Sequence, residues 1–203
     1  GLPTETDEDV AAIAELVNKI VYCWRQNATN KKRRLSINLA TAFFVPKPFT
    51  PFQWEKQTSP EEYLRRVHLL QSCLTARGVD YRYHESDLSR LEAVLARGDR
   101  RLSKVLLRAH ALGCKLDGWD EYFRYDLWMQ AFSDCGVDPE FYTTRGFAED
   151  EILPWQTIDI GVSRDFFLRE RALAYESVTT PDCRTKCAGC GAWSLSERGV
   201  CDE

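Results

Sequence analysis

The chain has no apolar run near the roughly 18 residues that a membrane-spanning helix requires, and no basic-then-apolar opening of a secretory leader; the sequence therefore predicts a cytoplasmic protein with no membrane partner. Neither sign of charge dominates: 27 Lys and Arg against 31 Asp and Glu give a net charge of -4, so any contact with nucleic acid has to be local. The three histidines, His68, His84 and His110, are isolated and lack paired-ligand spacing. No Ser-His-Asp set, phosphate loop or His-Glu-x-x-His pair occurs, and neither do internal repeats or low-complexity segments. Methionine is nearly missing, Met129 being the only one, and the numbering opens on Gly1; both point to a fragment of a larger gene product.

What is present is an ordinary globular composition, 44% hydrophobic and 12% aromatic, enough for one substantial core or two small ones. Thr6 followed by Asp7, Glu8 and Asp9 predicts a capped helix start. Val10, Ile13, Leu16, Val17, Ile20, Val21 and Trp24 then form one stripe, ending near Asn27. Leu35–Leu39 alternates and runs on to Val45, which predicts a buried strand, and Pro46, Pro48 and Pro51 force the chain out of the sheet. Ser59-Pro60-Glu61-Glu62 predicts a second helix ending at Gly78; a short strand over 79–84 follows, then helices near 87–97, 100–112, 119–134 and 164–175. The order suggests one βα unit of a parallel sheet followed by a helical appendage.

The eight cysteines divide into two groups. Cys23, Cys73, Cys114 and Cys135 stand singly among apolar residues and read as core thiols, not bridges. The Asn27-Ala28-Thr29 sequon is expected to be empty. Cys183-x3-Cys187-x2-Cys190, with Cys201 after ten more residues, has the spacing of a metal site. An iron-sulfur cluster, a structural zinc ion and a disordered thiol tail are the three readings of it.

Gly1-Leu2-Pro3-Thr4-Glu5-Thr6, opening a helix, resembles the G-[FL]-P-x-E-[TS] stretch near the fifth strand of radical S-adenosylmethionine (SAM) barrels. Phe44-Val45-Pro46-Lys47-Pro48-Phe49-Thr50-Pro51-Phe52-Gln53-Trp54 extends the likeness to a following strand end. Arg97-Gly98-Asp99-Arg100-Arg101, the Gly113–Trp119 stretch, Leu153-Pro154-Trp155 and Asp182-Cys183-Arg184 are similar to the large radical SAM proteins that commonly carry an N-terminal cobalamin-binding-like domain. The family's proline loop usually has histidine where this chain has Phe49. Its tail has a further thiol where this chain has Gly191-Ala192-Trp193, and Cys201 is the candidate replacement.

The resemblance implies an α/β, helix-rich fold: the last βα units of a partial (β/α)6 radical SAM barrel over 1–57, a mainly helical extension over 58–178 and a cysteine-rich metal-binding tail over 179–203. It implies SAM contacts at Gly1, Leu2, Pro3, Glu5, Val45 and Pro46, and a [4Fe-4S] cluster or zinc on Cys183, Cys187, Cys190 and Cys201. The family's SAM-cleaving cysteines follow the first barrel strand, so this stretch alone is expected to be inactive and its tail is a second metal site. The implied whole enzyme would take electrons from an external donor and form a 5′-deoxyadenosyl radical that attacks an unidentified substrate, RNA being one candidate, with cobalamin a candidate cofactor of the N-terminal part. The competing expectation is a metal-stapled module that binds RNA or protein without catalysis. The basic clusters Lys31–Arg34 and Arg97–Arg101 read as solvated turns or internal ion pairs, the second being the better RNA candidate. Trp119, Trp128 and Trp155 read as core.

Overall fold

In the computed structural model, which describes residues 1–30 and 32–192, the chain divides into two compact units. Unit 1 comprises Gly1–Val45 and Thr58–Leu91; unit 2 comprises Pro46–Gln57 and the chain from Glu92 onward.

Unit 1 is a two-layer β-α-β arrangement with a preceding helix. Helix α1 (Asp7–Asn27) starts in a capping box in which Thr6 and Asp9 satisfy each other's backbone N–H. Strands β1 (Ile37–Thr41) and β2 (Val79–Tyr83) pair in parallel, Ile37 opposite Val79, and α2 (Pro60–Cys73) provides the crossover. Leu39 and Tyr81 turn toward Val10, Ala14 and Leu70 of the helices, while Phe43 stacks on Tyr63 with centroids 4.1 Å apart. The opposite face of the pair carries exposed Asn38, Ala40, Asp80 and Arg82.

The partial barrel expected from the resemblance is therefore not formed. The described residues contain two five-residue strands in one two-stranded sheet. A barrel interior is lined on every strand by packed side chains, whereas this pair buries one face against helices and leaves the other polar and in solvent. Helix α2 stops at Cys73 instead of Gly78, and Leu74 has an extended backbone.

Unit 2 contains the end of α3 (Ser86–Arg97), α4 (Leu102–Leu112), α5 (Tyr125–Asp134), a 3-10 turn at Pro139–Phe141 and α6 (Arg164–Tyr175). Its core gathers Trp54, Phe147, Leu153, Trp155 and Phe167. Trp128 and Trp155 are buried as expected, but Trp119 is 62% exposed because the chain has left the helix and turns between α4 and α5. Cys114 is buried and Cys23 exposed, so only part of the first cysteine group is core; the seven described cysteines are free.

The start of α1 is tied to α2 by charge. Arg66 donates to Glu5 (2.8 Å) and Glu62 (2.9 Å), and Arg65 to Glu62 and Asp7 (both 2.7 Å). Hydrogen bonds from Arg65 and then Arg66 hold the Glu62 carboxyl at about 2, below its ordinary 4.5. A depressed carboxylate stabilises the fold above its unfolded value and loses that contribution as pH falls through the folded one. Stability is thus expected to decline between pH 4.5 and about 2, and Glu62→Gln should flatten that decline in urea unfolding followed across this range; an identical pH profile would show that the network contributes nothing.

Candidate functional site

Two places in unit 2 collect the residues singled out by sequence. The first is the cysteine segment. Helix α6 begins at an N-cap, Ser163, whose hydroxyl accepts from Phe166 N–H. The Ser163 N–H donates to the carbonyl of Cys190 at 2.8 Å, and Arg169 donates to the carbonyl of Ala188. The thiol loop is thereby fastened to the start of α6, where the helix dipole favours negative charge. Asp182 turns the chain into it, accepting from Arg184 N–H at 2.8 Å.

Within the loop the backbone points at sulfur. Gly189 N–H donates to Cys187 Sγ and Ala192 N–H to Cys190 Sγ, each at 3.4 Å. Such donors offset part of the charge on a metal-bound thiolate. Gly189 and Gly191 make this possible by adopting φ of +65° and +95°, and a Cβ on Gly191 would lie 3.0 Å from the Gly161 carbonyl. Cys183 is exposed. No three Cys, His, Asp or Glu side chains among the described residues stand close enough to hold one ion. Cys201 lies outside the described residues. Thiol sulfur is the donor type that thiophilic metals take, and Cys187 and Cys190 are two such donors, short of the four of a closed site.

The second place is a cavity of about 220 Å³ where the proline loop and Leu153-Pro154-Trp155 meet. Phe49, Gln53, Trp54, Trp155 and Phe167 line it. Gln53 is 4% exposed, and its side-chain oxygen accepts from Trp155 Nε1 at 2.7 Å and from Phe49 N–H at 3.3 Å. Both partners are donors only, so they fix the amide orientation. Phe49 sits at φ +58°, a left-handed conformation that costs a bulky residue about 1–2 kcal/mol; strain of this kind gathers at ligand sites.

The six residues expected to meet SAM do not gather in one place. Gly1 and Glu5 line a cavity of only about 50 Å³ in unit 1. Leu2 is exposed and Pro3 half-buried, while Val45 and Pro46 are buried. In the cluster Arg97–Arg101 only Arg97 is buried, while Arg100 and Arg101 are exposed. Arg97 is 0% exposed, donates to the Glu55 carbonyl at 2.7 Å and lies over Phe147. Burial, with the charge of Arg145, pulls Arg97 down to about 10. Arg101 grips Asp99 at 2.6 Å, and Tyr142 donates to the same carboxylate at 3.1 Å. His68, His84 and His110 are all exposed. Sequence reasoning missed the Gln53–Trp155 pair, whose only signal was two aromatic-rich motifs about a hundred residues apart.

No family model matches the chain, and no solved structure matches it. It is similar to an uncharacterized protein, MJ0966, of Methanocaldococcus jannaschii, 28% identical over 137 residues. The match covers 68% of this chain and 28% of that relative's length.

Gln53→Leu leaves the buried Trp155 Nε1 donor and the half-buried Phe49 N–H unsatisfied and should lower stability by about 1–3 kcal/mol, read as a lower urea midpoint. An unchanged midpoint would mean that the Trp155 N–H does not depend on Gln53.

Proposed function

We propose that the cysteine segment is an auxiliary metal centre, a [4Fe-4S] cluster held through Cys187 and Cys190 and completed by Cys183 and Cys201, in a radical SAM enzyme. The observation that carries the metal part is the pair of backbone N–H groups directed at the two sulfurs. The enzyme part is supported by the motifs alone and attaches to the cysteine segment, not to a barrel. A cluster supplies one-electron chemistry or an open iron for substrate; the chain's own contribution is to present thiolates beside backbone donors at the start of α6.

Free thiols gain nothing by converging without a cation, because the metal itself provides the free energy that closes such a loop. Cys183, exposed and four residues before Cys187, is the ligand whose position metal binding would change most. Zinc is the alternative occupant, with the same sulfurs and no redox role.

Anaerobic reconstitution with ferrous iron and sulfide should give a broad visible sulfur-to-iron absorption and about four irons per chain. Cys187→Ser and Cys190→Ser should each abolish it, whereas Cys114→Ser, in the buried α4–α5 region, should leave it intact. Tight zinc binding without colour would transfer the site to zinc, and absence of binding by either metal would end the proposal.

A further inference from the structure

Unit 1 carries a concave surface of about 520 Å³ lined by Trp24, Arg25, Arg33, Arg34 and Arg77. The topology explains why residues so far apart in sequence meet. Parallel strands begin at the same end of a sheet, so the turns preceding β1 and β2 lie side by side, and Ile37 N–H donates to the Gly78 carbonyl at 2.8 Å. The last turn of α1 delivers Trp24 and Arg25 to that end. Gly78 seals the junction: at φ +84°, a Cβ there would fall 2.6 Å from the Leu35 carbonyl, so the turns carrying Arg34 and Arg77 approach as closely as backbone allows.

None of these four guanidinium groups has an ion pair or a side-chain hydrogen bond to any described residue. Several arginines elsewhere are matched: Arg65, Arg66, Arg101, Arg108, Arg145 and Arg171 hold carboxylates. The chain has 31 acidic residues against 27 basic ones, so partners are not scarce. Yet no carboxylate among the described residues lines this concavity. Four like charges around one hollow repel one another, and a polyanion relieves that repulsion.

We infer that this basin binds a single-stranded nucleic acid, its phosphates on Arg25, Arg33, Arg34 and Arg77 and a base on the Trp24 indole. Guanidinium forks match phosphate oxygens bidentately, and a positive groove with an aromatic side chain is how single strands are held without sequence readout. A membrane surface would be met by a flat or protruding basic face, but here the charges line a hollow. An acidic peptide would satisfy the arginines and leave the indole without a role. The inference is independent of the metal reading.

The test is fluorescence anisotropy with a labelled uridine 15-mer and a thymidine 15-mer over a series of KCl concentrations. Four neutralised phosphates predict a slope of log affinity against log salt near about -2.8, at roughly -0.7 per phosphate on single strands. Arg33→Gln combined with Arg34→Gln should bring the slope to about -1.4. Trp24→Ala should weaken binding about tenfold at every salt concentration with the slope unchanged, and Lys104→Gln on α4 should behave as the parent. No saturable binding at low salt, or an unchanged slope in the double variant, would overturn the inference. So would polyglutamate or anionic vesicles binding as tightly as the oligonucleotides with the same sensitivity to the arginine changes.

Discussion

A proline-rich excursion, Pro46–Gln57, cannot join a sheet, and parts of unit 2 pair with polar groups that this excursion buries. Pro46, Pro48 and Pro51 remove ladder donors, and several of its remaining groups find partners elsewhere in the unit. The Trp54 carbonyl accepts from Phe147 N–H at 2.8 Å, and Gln57 N–H donates to Thr143 at 2.9 Å. Arg97 caps the Glu55 carbonyl from a fully buried position, and the Glu55 carboxylate is held by Arg171 of α6 at 2.7 Å. Gln53 closes the set through Trp155. An unsatisfied buried polar group costs about 1–3 kcal/mol, so α3, α6 and the 143–155 segment are each committed to this loop.

That commitment positions the thiol segment. Helix α6 is fixed at one side by Phe167 in the Trp54–Trp155 core and by Arg171 on Glu55 and Glu149. Its N-cap, Ser163, then holds Cys190 by the backbone. The loop that presents sulfur is thus attached to a helix start braced by the proline excursion. The left-handed glycines supply the local geometry, and the core supplies its orientation.

Much of the local structure was legible. Thr6 before Asp7, Glu8 and Asp9, and Ser59 with Pro60, mark helix starts by side-chain capping, which is a property of a few neighbouring residues, whereas the Ser163 cap of α6 emerged with the structure. The end of α2 was not legible, because nothing local distinguishes Cys73 from Gly78 as a stopping point once β2 and its parallel register are unknown. The barrel expectation failed at the same level: motifs near strand ends say little about how many strands pair. The cysteine spacing was plain, but the donors aimed at Cys187 and Cys190 depend on backbone angles. The basin around Arg77 was invisible as a unit, since only the parallel register brings residues 25, 33, 34 and 77 to one end.

The central claim is that Cys187 and Cys190 bind metal through sulfur. The most direct measurement is X-ray absorption at the iron and zinc edges on protein purified anaerobically without added metal. The account predicts a first shell of sulfur at about 2.3 Å with no fewer than two sulfur scatterers per metal. A shell made only of nitrogen or oxygen at about 2.0–2.2 Å, or metal whose environment is the same after Cys187→Ser and Cys190→Ser, would contradict it.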